Sequence, residues 1–168
     1  MTQKKKKDKS AKSVSGDGQA RTITENRKAR HRFEVLEQIE CGIVLVGSEV
    51  KSLRESQISL DEAYVRIRDN DLWLVSCDIA EYRQANIWNH DPKRPRKLLT
   101  HATQLRKLSS RAHEKGMTLV PLRVYFNARG IVKVMVGVCR GKKLFDKRES
   151  KKAKDVKRDI DRAMKSRR

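Results

Sequence analysis

Four cations in five residues, Lys93, Arg94, Arg96 and Lys97, lie in the segment Asn89-His90-Asp91-Pro92-Lys93-Arg94-Pro95-Arg96-Lys97-Leu98-Leu99. Pro92 and Pro95 fix φ and remove backbone donors, so a stiff, extended loop is expected. Ammonium and guanidinium groups displayed on such a loop suit phosphate, through charge neutralisation by lysine and bidentate hydrogen bonding by arginine. Because Leu98 and Leu99 follow at once, the loop is anchored in apolar structure, unlike a free linker. On spacing alone Leu99 reads as core.

His90, Asp91 and His101 raise the alternative of a metal-dependent nuclease. Their spacing matches no common metal-ligand pattern, no paired carboxylates accompany them, and no glycine-rich phosphate loop precedes a helix. His90 and Asp91 read better as braces of the loop, Asp91 capping the turn ahead of Pro92. The three cysteines, Cys41, Cys77 and Cys139, are far apart and each sits in an apolar run. That pattern fits buried thiols in a reducing compartment. No enzymatic activity, metal or cofactor is expected. Tyr82 and Trp88 flank the basic loop and are open to two readings, base stacking or core.

At 168 residues the chain accommodates one domain plus tails. Its 41 Lys/Arg against 21 Asp/Glu give a net charge of +20. An acidic partner follows, with nucleic acid ahead of a membrane because no long apolar run is present. Lys4 to Lys7 are followed by polar residues that include Asp8 and Asp17, unlike a signal peptide, so a cytoplasmic location is expected. The charge is concentrated at the ends: residues 1–32 hold 11 Lys/Arg against 3 Asp/Glu, and residues 140–168 hold 14 against 5. Two cationic arms flank a nearly balanced body.

Alternation from Phe33 to Val46 predicts a strand with Phe33, Val35, Ile39, Cys41, Ile43 and Leu45 on one side, and a bend or bulge at Gly42. Thr24 is a candidate cap for a short helix through Arg27, Lys28 and Arg30, which reads as RNA-facing or simply solvated. Ser48 is a candidate cap for a second helix through Val50 and Leu53. Ala63 to Arg68 and Leu72 to Val75 form an expected hairpin around Asp69, Asn70 and Asp71. Ala102, Leu105, Leu108 and Ala112 recur at helical spacing, with Gly116 as the expected stop. Leu119 to Phe126 and Ile131 to Cys139 flank the turn residues Asn127 to Gly130, a second hairpin.

Several short strands and two substantial helices predict a mainly β protein, a small antiparallel OB-like β-barrel with flanking helices and disordered basic tails. Residues 1–20 are expected to be a disordered basic tail, 21–140 an RNA-binding domain, and 141–168 a second tail. In that second tail Ala153, Val156, Ile160, Ala163 and Met164 make a narrow helical stripe, predicting disorder when free and helix against a partner.

The segments Asn26-Arg27-Lys28-Ala29-Arg30-His31, Glu49-Val50-Lys51-Ser52-Leu53-Arg54, Asn89 to Leu99, and Gly141-Lys142-Lys143-Leu144-Phe145-Asp146-Lys147-Arg148-Glu149 together resemble the small protein B (SmpB) family of SsrA-binding proteins. The resemblance covers roughly residues 24 to 150, with Thr100 where a third Leu is common. It implies an OB-like adaptor, not a catalyst, that binds the tRNA-like domain of transfer-messenger RNA. It also implies delivery with elongation factor Tu and entry into ribosomes stalled on truncated messages, and it is compatible with a monomer. Matched residue by residue, it implies RNA contact by Glu40, Leu99 and Lys133. It further implies a ribosomal role for Lys142, Lys143, Asp146, Lys147 and Arg148 in the empty decoding region and message path. Without the resemblance, Glu40 reads as an exposed strand residue, and Lys133 serves equally as a solvated strand face or a phosphate contact. A different OB-type ribosomal or RNA-chaperone protein is the competing reading.

Overall fold

A computed structural model describes residues 20–143 together with Ile160 and Met164. The chain runs β1 (Arg21–Glu25), α1 (Arg27–Arg32), β2 (Phe33–Ile43), α2 (Gly47–Arg54), β3 (Ile58–Ser59), β4 (Tyr64–Arg68), β5 (Asp71–Val75) and β6 (Asp78–Ile79). A single 3-10 turn at Arg83–Ala85 precedes β7 (Arg96–Leu99), α3 (Ala102–Ala112), β8 (Met117–Phe126) and β9 (Val132–Gly141). The main sheet has the order β1-β8-β4-β5-β7-β2-β9, and β8 also pairs with β9. Six strands, β8-β4-β5-β7-β2-β9, therefore close into an antiparallel ring with no open edge among them, and β1 adds on as a short edge strand beside β8. The expected mainly β barrel is what the strands build.

Leu74, Cys77, Ile79, Val134 and Val136 fill the interior, while Leu53 of α2 and Leu108 of α3 cover it. All three cysteines are free and buried. Burial pushes the Cys41 and Cys139 thiols up to about 11 and Cys77 to about 12, so each is protonated and inert at neutral pH.

Both expected hairpins form. Asp69 and Asn70 adopt φ of 51° and 60°, the left-handed pair that a two-residue turn between twisted strands requires. In the second turn the Asn127 side chain accepts from the backbone N–H of Arg129 and Ile131, and Gly130 takes φ of 72°.

Strand β2 departs from the simple alternation. It ends at Ile43, short of Val46, and its register shifts between Val35 and Glu37 rather than at Gly42. The extra residue flips the side-chain parity. Ile39 and Cys41 consequently enter the barrel, whereas Phe33 and Val35 pack outside it with Ala29, Val120, Leu122 and Cys139. A matching shift between Pro121 and Arg123 does the same in β8. From Leu119 to Leu122 β8 is buried on both faces, which explains the apolar run there.

The helix starts also differ from expectation. Thr24 belongs to β1; Asn26 caps α1, its Oδ1 accepting from Ala29 N–H while its Nδ2 donates to the carbonyls of Leu60 and Pro121. Ser48 lies inside α2 and does not cap it; Glu49 accepts from Val46 N–H instead. Helix α3 ends at Ala112, four residues before Gly116, whose φ of 81° leads into β8. Residues 1–19 and most of the tail beyond Lys143, including Asp146, Lys147 and Arg148, lie outside the described residues. Ile160 and Met164 have helical backbone and exposed side chains.

Candidate nucleic-acid interface

A row of residues crosses four neighbouring strands on the outside of the barrel. Leu99 of β7 faces Gly42 of β2, Gly42 faces Lys133 of β9, and Lys133 faces Tyr125 of β8. Glu40 stands two residues from Gly42 on the same face of β2. A cleft of about 410 Å³ opens over the row, lined by Glu40, Gly42, Leu99, Lys133 and Gln104 of α3. The glycine makes the floor: a Cβ at position 42 would lie 3.3 Å from the Leu99 Cβ, tighter than ordinary van der Waals contact. Leu99 is 51% exposed at the rim and is not core.

The charges in the cleft are held in place. Lys133 Nζ lies 3.4 Å from Glu40 Oε1, and the Tyr125 hydroxyl donates to Glu40 Oε2. The hydrogen bond from Tyr125, assisted by Lys133, outweighs desolvation and holds the Glu40 carboxyl below its ordinary pKa. Burial, reinforced by the Glu40 carboxylate, pushes the Tyr125 phenol up to about 12. Arg123 stacks over the Tyr125 ring, 4.7 Å from its centroid. The result is an ionised acceptor, a cation and an apolar side chain around one hollow, which suits a ribose or base edge beside a phosphate.

The basic loop is built differently from the expected four-cation grip. Arg96 is wholly buried and cannot reach a phosphate; it is removed from the RNA-facing set. Its Nε donates to Glu49 Oε1 at 2.7 Å, and its terminal nitrogens donate to the carbonyls of Cys77, Arg94 and Pro92. Arg94 grips the same carboxylate, Nε to Oε1 at 2.8 Å and Nη2 to Oε2 at 2.6 Å. Burial alone would raise the Glu49 carboxyl, but hydrogen bonds from Arg94, Val46 N–H and Arg96 prevail and hold it below its ordinary pKa. A buried charge needs this degree of pairing, so the arginines fasten the loop to α2. The expected braces hold as well: His90 bridges Ser48 Oγ and the Ile79 carbonyl, and Asp91 accepts from Lys93 N–H.

Other cations are placed elsewhere. Lys28 of α1 and Lys93 line a second cleft with Arg32, facing Asp61, Glu62 and Asp78. Lys28 pairs with Asp61, and Arg30 pairs with Glu25 at 3.0 Å, while Arg27 is exposed. Lys97 pairs with Asp71 at 2.6 Å. Lys142 donates from its Nζ to the Arg30 carbonyl and from its backbone to Arg32, joining the start of the tail to α1. Among the described residues no group of three or more His, Cys, Asp or Glu is arranged to hold a metal ion. No helix among them is long and apolar enough to cross a membrane.

The model of the family described as SmpB protein matches residues 23–166. The chain belongs to the SmpB family. Within it, the SsrA-binding protein of Rhodopirellula baltica is 55% identical over 142 residues, covering 84% of this chain and 81% of that protein. The SsrA-binding protein of Treponema denticola is 50% identical over 145 residues, 86% and 94% of the two chains. A solved SmpB chain, from a tmRNA–SmpB study of the bacterial ribosome, is 48% identical with a TM-score of 0.62, covering 72% of this chain and 85% of that one.

For this SmpB family member, strand register brings Glu40, Leu99 and Lys133 together, whereas α1 and Lys93 stand apart, and Lys97, two residues before Leu99 on β7, pairs with Asp71 outside the cleft. Sequence reading missed Tyr125, Gly42 as the cleft floor, and Glu49 as the hub of the loop. Tyr125 lay within an apolar run and Glu49 within a charged helix pattern, so neither carried a distinguishing local signal.

Proposed function

We propose that this chain is the RNA-binding adaptor of trans-translation. The barrel binds the tRNA-like domain of transfer-messenger RNA, and the complex enters stalled ribosomes with elongation factor Tu bound through the aminoacylated RNA. The observation that carries this reading is the single cleft into which Leu99, Glu40 and Lys133 converge from three strands. Lys133 neutralises a phosphate and releases its counterion. Glu40 accepts from ribose or base donors and repels misplaced phosphate, so it selects structure rather than adding bulk affinity. Leu99 packs beneath the nucleotide they hold. The chain acts as a cytoplasmic, monomeric adaptor and carries out no catalysis of its own. The tail residues Lys142, Lys143, Asp146, Lys147 and Arg148 take the place of message in the decoding region.

Competition binding at moderate salt tests the reading. A tRNA-like domain is expected to displace itself far better than a random duplex does; equal competition would favour the general RNA-chaperone alternative. A chain truncated after Leu144 is expected to retain RNA binding and lose ribosome rescue. Loss of RNA binding in that truncation would refute the separation of barrel and tail.

A further inference from the structure

We propose that the outer face of β4, β5 and β7 is a second RNA contact, in which Trp73 stacks on one unpaired base between the flanking cations Arg66 and Lys97. The inference rests on the RNA-binding reading above and adds a site to it. Trp73 is the cross-strand neighbour of Arg66 on β4 and of Lys97 on β7. The inward residues beside it, Val65, Leu72, Leu74 and Leu98, are buried, so alternation turns Arg66, Trp73 and Lys97 outward together. A mostly apolar hollow of about 270 Å³ opens there, lined by Trp73, Val75 and Pro95 together with Arg66, Arg68 and the acidic Asp69 and Asp71. That is smaller than the roughly 300–1,000 Å³ of a pocket for a drug-sized ligand, and it suits one ring.

The charges around the hollow favour a nucleotide. Arg68 pairs with Asp69 at 3.2 Å and Lys97 with Asp71 at 2.6 Å, while Arg66 has no acidic partner among the described residues. An aromatic plane with cations on both sides is the arrangement by which single strands are held: the ring takes the base and the cations follow the backbone. The hollow and the cleft are separate, but strand β7 runs from one to the other. Lys97 and Leu99 are alternate residues of β7 on the same outward face, about 7 Å apart along the strand. One RNA gripped at Leu99 thus has its next nucleotides within reach of Trp73.

The chain contains only two tryptophans, Trp73 and Trp88, so the full-length Trp88→Phe variant reports on Trp73 alone. Saturating it with tRNA-like-domain RNA is expected to quench the remaining emission. In the wild-type background, Trp73→Leu is expected to weaken binding about 5- to 150-fold, the range for removing one base–aromatic stack. Arg66→Gln, at an exposed position where folding is not at risk, is expected to weaken binding and reduce the salt slope by about one. If Lys133→Ala impairs binding while Trp73 emission ignores the RNA and Arg66→Gln binds normally, the second contact is overturned and the RNA-binding reading stands. If the RNA does not bind at all, the reading itself fails. Emission that responds to ribosomal protein but not to RNA would also overturn the proposal.

Discussion

Glu49→Gln is expected to destabilise the barrel while leaving the cleft around Glu40, Leu99 and Lys133 chemically intact. The carboxylate accepts four hydrogen bonds, two from Arg94, one from Arg96 and one from Val46 N–H, and neither Glu49 nor Arg96 is exposed. An amide keeps one acceptor, turns a donor toward the guanidinium groups and leaves Arg96 buried without a countercharge. Removing one partner of a buried pair costs about 3–5 kcal/mol. Arg96 retains the carbonyls of Cys77, Arg94 and Pro92, so the lower end, about 3 kcal/mol, is expected, a fall in Tm on the order of 10 °C. Urea denaturation followed by circular dichroism at neutral pH gives the stability, and RNA binding below the transition gives the function. The folded-state pKa of Glu49 is depressed, so its contribution is complete above the unfolded carboxyl pKa of about 4.3 and is lost as pH falls through the folded value. The gap between wild type and variant should therefore narrow on acidification. A loss below about 1 kcal/mol, or a gap independent of pH down to strong acid, would refute a structural role for the buried cluster.

Tyr125→Phe removes the largest cause of Glu40's depressed pKa, so the acid limb of the RNA-binding profile should move to higher pH, read by titrating affinity against pH. Lys133→Ala should lower RNA affinity and the salt slope by about one, with stability within about 0.5 kcal/mol of wild type; a large fall in Tm would assign Lys133 to the fold instead. Gly42→Ala should push Leu99 off the cleft floor and weaken RNA binding more than it shifts Tm, measured on the same preparation. Asn26→Ala should cost about 1–3 kcal/mol in urea denaturation, because the helix cap is lost and two buried carbonyls lose their donor.

Composition and short-range pattern were enough for the basic character, the two hairpins, α3, the buried cysteines and the family, because each depends on residues close together in the chain. Asp69-Asn70 and Asn127 to Gly130 announce their turns through backbone preferences that operate over two to four residues. The bulges in β2 and β8 were hidden, since an extra residue is defined only by the partner strand, and they decide which apolar side chains enter the barrel. The burial of Arg96 was equally hidden: in sequence it is one of four similar cations, and only Glu49, 47 residues earlier, makes it an interior residue. The cleft has the same origin. Leu99, Gly42, Lys133 and Tyr125 become neighbours through the register of four strands, a long-range pairing that local residue preferences cannot specify.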